Sequence, residues 1–158
     1  MFARIAEFTE AAAQEPLPKR PKLMTPEDVT KLGRYVFEEL IELFDTVNDR
    51  VDTNITVLKL LAEAMARKKK DNSSNSEVET LAEQQDAIVD LAYYCGDAAA
   101  KAGFKLDRPF VIVHNANMAK IDKKTGKVLR RESDGKVLKP EGWTPPDLVP
   151  EVERQLRE

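Results

Sequence analysis

The chain is poor in residues that carry covalent or redox chemistry, because its 158 residues include one cysteine and one histidine. Cys95 has no second cysteine to pair with, so an intrachain disulfide is excluded, and its apolar setting LAYYC predicts a core position rather than a nucleophile. A redox di-iron helical bundle needs Glu-x-x-His motifs, which the lone His114 cannot supply on the acidic helices. Disulfide-stabilised and ferritin-like redox proteins are therefore disfavoured.

Long apolar runs and a strong charge imbalance are also missing. No stretch approaches the ~18 consecutive apolar residues that a membrane-spanning helix needs. Glu7 and Glu10 interrupt the N-terminal segment, where a signal peptide would be apolar. The net charge of -3 gives no general attraction to nucleic acid. We expect a cytoplasmic protein that binds neither membranes nor nucleic acids and that holds any anionic ligand locally.

The sequence is rich in helix signals. Over the whole chain, 42% of residues are hydrophobic and 34% are charged. That balance predicts one globular domain. Thr25 is a predicted N-cap with Pro26 at the first helical position, and Ser76 with Glu79 forms a predicted capping box. The predicted fold class is all-α. Apolar residues at helical spacing predict helices over residues 26–48, 53–69, 76–103 and 108–121.

The two ends of the chain differ from this helical core. Residues 1–24 are predicted to form an N-terminal arm, because the prolines of EPLPKRPKL prevent a helix from continuing. In residues 122–158, TGK and DGK turn signals flank the β-prone VLRRE. This pattern predicts a turn-rich C-terminal lobe with a small hairpin, followed by a short helix from Pro145. The helical core of the predicted domain covers residues 25–121.

The first predicted helix carries three carboxylates in the run EELIE. Glu38 and Glu42 are one helical turn apart, and Glu39 and Glu42 are three residues apart, so their side chains can converge. Apolar residues surround these acids on most of the helix circumference. This pattern therefore favours a binding site built from these acids over an acidic helix face that is wholly exposed to water.

A second acidic stripe lies on the third predicted helix, where Glu83, Asp86 and Asp90 follow at spacings of three and four. Like charges are costly to bury together unless cations neutralise them, and all-oxygen ligands suit Mg²⁺ or Mn²⁺. Two facing stripes therefore predict a hard-metal site. The alternative is that these are ordinary acidic helix faces exposed to water.

The motifs EELIE, DLAYYCGDAAAKAGF, HNANMAK and DGKVLKPEGW, the last followed by PPDL, resemble the MazG-like and phosphoribosyl-ATP pyrophosphohydrolase superfamily. The resemblance covers residues 25–148. It implies a MazG-like helical bundle that hydrolyses a nucleoside triphosphate between the α and β phosphates with Mg²⁺ or Mn²⁺. Because the superfamily builds its sites near subunit interfaces, the resemblance also implies a homodimer or homotetramer.

The resemblance assigns roles to the acids of the first helix and leaves two registers for the second motif. Glu38 and Glu42 correspond to metal ligands. Glu39 corresponds to the base that activates water, and it is also a candidate metal ligand. Read literally, Glu83 and Asp86 form the second motif. When the motif is instead aligned by the apolar residues that follow it, its members are Asp86 and Asp90. We favour this register, in which Ala87 stands where the family has glutamate.

The last two motifs of the resemblance imply phosphate binding. Asn117 and Lys120, three residues apart in HNANMAK, correspond to the family's polyphosphate-binding pair. Lys136 and Lys139 in DGKVLKPEGW match its C-terminal lysines, which can close over phosphates. For Trp143, sealing the lobe against the helices is favoured over stacking on a base.

Three functions remain open from the sequence. The first is hydrolysis of a nucleoside triphosphate, with GTP or dGTP favoured as in the viral MazZ-type enzymes and dUTP as an alternative. The second is hydrolysis of phosphoribosyl-ATP. The third is an inactive helical interaction module, which Ala87 keeps open because a usual metal ligand is then missing.

Overall fold

The computed structural model of the chain describes residues 1–13, 16–47, 53–67, 73–132 and 137–158. These residues contain six α-helices and no extended strands, so the predicted all-α class is confirmed. None of the described helices has the length and hydropathy to cross a membrane. The helices are α1 Phe2–Ala12, α2 Pro26–Asp45, α3 Thr53–Ala66, α4 Glu77–Lys101, α5 Asp107–Met118 and α6 Val149–Leu156.

The chain divides into two compact units. One unit comprises residues 20–89, with α2, α3 and the first half of α4. The other comprises residues 1–19 together with 90–158, so the N-terminal helix belongs to the same unit as α5 and α6.

In the unit of residues 20–89, both predicted helix starts carry a capping box. The Thr25 backbone N–H donates to Asp28 Oδ2 at 2.9 Å, and the Asp28 N–H donates to Thr25 Oγ1 at 3.1 Å. At the start of α4, the Ser76 N–H donates to Glu79 Oε2 at 2.7 Å, and the Glu79 N–H returns to Ser76 Oγ at 3.3 Å. Each box satisfies helix N–H groups that have no carbonyl partner, which fixes where α2 and α4 begin.

The same unit is held together by helix packing and by one glutamine. α2 packs against α3. The Gln84 side chain accepts from the Met24 N–H at 2.9 Å and donates to the Met24 carbonyl at 3.3 Å. This pair of bonds ties α4 to the segment that enters α2. α2 ends at Asp45, about three residues before the predicted end, because Thr46 caps it by donating to the Leu43 carbonyl at 2.7 Å.

In the other unit, the predicted N-terminal arm is a helix, α1, that packs on α5 of the same chain. Its C-terminal carbonyl groups accept hydrogen bonds from the C-terminal lobe. Lys127 Nζ donates to the Glu10 carbonyl at 3.0 Å, and Arg130 Nη2 donates to the Ala12 carbonyl at 2.7 Å. Cations at the negative end of a helix satisfy its unpaired carbonyls, so they fix α1 to the lobe.

The C-terminal lobe is turn-rich, as predicted, and its hairpin is reduced to two isolated antiparallel bridges. These join Ile121 to Val128 and Arg130 to Val137. Asp122 shapes the first turn by accepting from the Thr125 N–H at 2.8 Å. The last helix starts at Val149, a few residues after the predicted start.

Two features stabilise the end of α4 and the docking of α6. Gly103 adopts φ +77°, and the Phe104 N–H donates to the Ala99 carbonyl at 2.9 Å, which ends α4 just before the predicted glycine. Beyond it, the Gln155 side chain accepts from the Lys105 N–H and donates to the Lys105 carbonyl, both at 3.0 Å.

Glu151 is the most buried acid among the described residues, with 6% of its surface exposed. Arg154 donates to both of its carboxylate oxygens, at 2.9 and 2.7 Å, and Gln155 donates at 3.0 Å. The Arg154 hydrogen bonds lower the pKa of Glu151 from 4.5 to about 2, with further help from Gln155. The ionised carboxylate is therefore part of the folded structure.

The predicted core position of Cys95 is wrong for the single chain, in which Cys95 is exposed. Its neighbours on α4 are exposed too, with Leu91 at 41% and Tyr94 at 68%. The apolar side of this helix is not covered by other described parts of the chain. Ala99 and Val128 are the buried apolar residues of the described chain.

We predict that Glu151→Gln lowers the free energy of unfolding near neutral pH, because it removes the acceptor of a bidentate arginine pair. A lowered pKa means that the stabilisation is complete above pH 4.5 and is lost as the pH falls towards about 2. Urea unfolding of both proteins across this range should show their midpoints converging. Glu153→Gln on the same helix is the control, because Glu153 is exposed and its ion pair with Arg157 is 4.0 Å long. A constant difference between Glu151→Gln and the unaltered protein down to pH 2 would contradict this role.

Candidate active site

The three acids of EELIE all belong to one helix, α2. Glu38, Glu39 and Glu42 are all exposed, whereas Leu40 and Phe44 on another side of the helix are half-buried. None of the three carboxylates forms a hydrogen bond or ion pair with another described residue. They are therefore available to an external cation.

The carboxylates of α4 differ in their surroundings. Asp86 and Asp90 are exposed and form no hydrogen bond or ion pair with other described residues. Glu83 is half-buried and accepts from Asn75 Nδ2 at 3.1 Å. This bond connects the segment before α4 to its second turn. Glu83 thus has a structural partner, while the two aspartates do not have one in the described chain.

The described residues of the single chain do not bring three acidic, histidine or cysteine side chains together as a ready metal-binding group. The predicted ligands Glu38, Glu39, Glu42, Asp86 and Asp90 thus remain a prediction. Their chemistry fits a hard divalent cation, because every one of them offers only carboxylate oxygen.

The predicted phosphate-binding residues Asn117 and Lys120 are in direct contact. Lys120 Nζ donates to Asn117 Oδ1 at 2.8 Å across the end of α5. Lys120 Nζ also lies 5.2 Å from the centre of the Trp143 ring, and Lys139 Nζ lies 4.6 Å from the centre of the same ring. The structure therefore brings three of the predicted substrate-binding residues into one cluster, with Asn117 and Lys120 from one motif and Lys139 from another. Lys136 lies outside the described residues.

Trp143 is anchored within this cluster by its indole N–H, which donates to the Ala116 carbonyl at 2.7 Å. The side chain is half-buried. The predicted sealing of the C-terminal lobe against α5 is consistent with this bond. The sequence did not reveal the two ammonium groups on the ring, because Lys120, Lys139 and Trp143 follow no common periodicity.

Positive charge is concentrated in the cluster, where two lysines approach one ring. Burial lowers the pKa of Lys120, and the charge of Lys139 lowers it further. Neither lysine forms an ion pair with a carboxylate in the part of the chain that the structure describes. An anion that meets both ammonium groups would relieve their repulsion.

An open groove of about 900 Å³ lies beside this cluster. Its walls are the end of α5, the turn after it and the segment 140–146, with Trp143 among the lining residues. Ala116 and Ile121 contribute apolar surface, and Asp122 contributes a carboxylate. The groove and the lysines thus share one aromatic residue.

His114, a residue with an open role in the sequence, is a packing residue. It is 8% exposed, its ring stacks on Phe110 with centroids 6.0 Å apart, and its Nε2 lies 3.7 Å from Glu7 Oε2 of α1. This position between α1 and α5 leaves little of the imidazole accessible to a ligand. Its neighbours Asn117 and Lys120 are more accessible.

Comparisons with known proteins identify the family of the chain. The model of the family described as phosphoribosyl-ATP pyrophosphohydrolase matches residues 5–117, and the chain belongs to this family. It is accordingly a pyrophosphohydrolase, as the motifs indicated.

A solved structure extends the likeness to the whole chain. A crystallised protein from Exiguobacterium sp. 255-15, which carries the provisional designation NTP pyrophosphohydrolase, is similar with a TM-score of 0.73 and 25% sequence identity. The similarity covers 99% of this chain and 93% of that chain. No curated protein matches the chain significantly in sequence.

We predict that Asp90→Asn weakens Mn²⁺ binding at least about tenfold, the usual scale for losing a metal-site contact. Glu83→Gln should change the affinity little, because glutamine keeps an acceptor for Asn75 and the Glu83 carboxylate already has this partner. Calorimetric titration of both variants with Mn²⁺ checks this ranking. The reverse order would assign the second motif to Glu83 and Asp86 instead.

Proposed function

We propose that this pyrophosphohydrolase cleaves a nucleoside triphosphate between its α and β phosphates, releasing a nucleoside monophosphate and pyrophosphate. The observation that carries the proposal is the cluster of Asn117, Lys120 and Lys139, in which two ammonium groups without carboxylate partners in the described chain are held near one ring. A highly charged anion is the ligand that such a cluster favours.

The available carboxylates of α2 and α4 complement this cluster chemically. We propose that Mg²⁺ or Mn²⁺ is held by Glu38, Glu39, Glu42, Asp86 and Asp90. When bound, the cation neutralises phosphate oxygens and orients the attacking water. A nucleotide polyphosphate that arrives with its cation therefore offers one component that suits the acids and another that suits the lysines.

In the proposed reaction, Glu39 accepts the proton of the water that attacks the α-phosphorus. Asn117 donates from its side-chain amide, and Lys120 and Lys139 supply positive charge to the phosphate oxygens. Charge that builds up on the departing pyrophosphate is stabilised by these fixed donors. The protein's own contribution is thus to remove a proton from the attacking water and to stabilise charge on the leaving pyrophosphate.

The identity of the base and sugar follows less directly from the site. We propose GTP or dGTP as substrate, with dUTP as the alternative, because the C-terminal element KPEGW resembles that of relatives with these activities. Phosphoribosyl-ATP is the second candidate, and the match of residues 5–117 to the family of that name favours it. Pyrophosphate release from a panel of these compounds separates them, and no release from any would favour an inactive interaction module.

We further propose that the chain works as a homodimer or homotetramer. Large apolar side chains are exposed on α2, including Val29 at 50% and Leu43 at 62%, and α4 exposes Tyr93 at 74%. Large apolar side chains exposed on a helix are often covered by a partner, and closed symmetric assemblies of identical chains are the commonest solution. A second copy of the chain is therefore the expected cover.

Glu39→Gln is predicted to reduce turnover of the triphosphate by at least about 100-fold, because a general base contributes on this order or more. Glutamine keeps the shape and an acceptor oxygen but cannot take the proton. The assay is Mg²⁺-dependent pyrophosphate release, with nucleotide affinity and thermal unfolding measured in parallel. Glu27→Gln, in the first turn of the same helix, is the matched control and should keep full activity. Turnover of Glu39→Gln at the unaltered rate would remove Glu39 as base.

Light scattering coupled to gel filtration should give the mass of two or four chains. Leu43→Glu is predicted to shift the protein towards smaller species, because it places a charge on the exposed apolar side of α2. Lys31→Glu is the control, since Lys31 is already exposed on a polar side of that helix. A monomeric mass for the unaltered protein would refute the assembly.

A further inference from the structure

We propose that Trp143 is a positioning residue that holds Lys120 and Lys139 as a preassembled clamp for the polyphosphate. This inference rests on the proposed function, because it assigns the arrangement of the phosphate-binding lysines to one aromatic ring. In this role, Trp143 neither contacts the reacting atoms nor transfers a proton. Its role is to keep two cations close to each other before the anion arrives.

The geometry of the ring carries the argument. Both ammonium groups lie within range of the indole centre, at 5.2 Å for Lys120 and 4.6 Å for Lys139, distances at which a cation is attracted to an aromatic face. Tryptophan offers the strongest such face among the side chains. The ring therefore offsets part of the repulsion that would drive the two lysines apart.

Two hydrogen bonds fix the cluster in place on α5. The indole N–H donates to the Ala116 carbonyl at 2.7 Å, which fixes the ring plane relative to the helix. Lys120 Nζ donates to Asn117 Oδ1 at 2.8 Å, which restrains the first ammonium group from another direction. Lys139 reaches the same ring from the C-terminal lobe. The ring is thus tied to the helix, and the second lysine approaches it from a different segment of the chain.

The charge balance supports a ligand rather than a purely structural cluster. The positive charge of Lys139 adds to burial in lowering the pKa of Lys120, which shows that the two cations repel each other as they stand. In the described part of the chain no carboxylate neutralises either lysine. Restraining flexible side chains before binding reduces the entropy that binding must overcome, so a preassembled pair binds an anion more tightly than two free lysines.

The lone tryptophan gives this proposal a direct spectroscopic signal, because the intrinsic tryptophan fluorescence of the chain comes from Trp143 alone. Inorganic tripolyphosphate, added without metal, is the probe. We expect a saturable change in emission, because the bound anion changes the charge next to the indole while the ammonium groups stay at the ring. In Lys139→Met, which keeps the length of the side chain without its charge, that change should be smaller. No emission change while calorimetry shows tripolyphosphate bound, or no binding at all, would overturn the clamp.

Two substitutions separate the ring face from its hydrogen bond. Trp143→Phe loses the N–H donor to Ala116 but keeps an aromatic face, and Trp143→Leu loses both. We expect the Kd for tripolyphosphate to rise roughly tenfold in Trp143→Leu and much less in Trp143→Phe, since cation–π contacts act through the face. In turnover, kcat/KM should fall in the same order, because the displaced lysines also stabilise charge on the departing pyrophosphate. Equal losses in both variants would mean that Trp143 only anchors the lobe.

These outcomes are distinguishable from a failure of the proposed reaction. If the protein releases pyrophosphate from a triphosphate but Trp143→Leu and Trp143→Phe behave alike, the enzyme stands and the clamp is wrong. If tripolyphosphate binds as described but no triphosphate is hydrolysed, the clamp stands and the proposed substrate is wrong. Thermal unfolding of both variants checks that each is folded under the conditions of the binding measurement.

Discussion

The described structure depends on side chains that satisfy backbone groups of distant segments. Gln84 binds both backbone groups of Met24, and Gln155 does the same for Lys105. Backbone N–H and C=O groups in loops and at helix ends have no partner within the helices, and burying them unpaired is costly. Few apolar residues of the described chain are buried, so these directional bonds, together with the packing of α1 on α5 and of α2 on α3, join segments within each unit.

The charges of the candidate site have a complementary logic. The acids of EELIE and the pair Asp86 and Asp90 have no cationic partners among the described residues, and Lys120 and Lys139 have no anionic ones. Carboxylates without a cationic partner suit the cation, and clustered lysines suit the phosphates, of the ligand proposed above.

Glu151 provides a useful contrast, because it is a perturbed acid with a structural explanation. Its carboxylate is buried and bonded to Arg154 and Gln155, so its pKa is low without any need for a ligand. His114 is a second case, buried between two helices against Phe110. Burial against partners from the same chain thus distinguishes structural groups from the candidate metal-binding acids, which are accessible and unpaired in the described structure.

Local sequence determined the helices and their ends. Thr25, Ser76 and Gly103 mark the start or end of a helix because capping bonds and a left-handed backbone depend only on residues within a few positions. The spacing of the acidic residues and the motifs of the family could likewise be identified from the sequence alone. Tertiary structure alone decided that Lys120 and Lys139 meet at one tryptophan, that α1 docks on α5, and that the lone cysteine is exposed. Those outcomes depend on contacts between residues far apart in the chain, whose free energies no local pattern encodes.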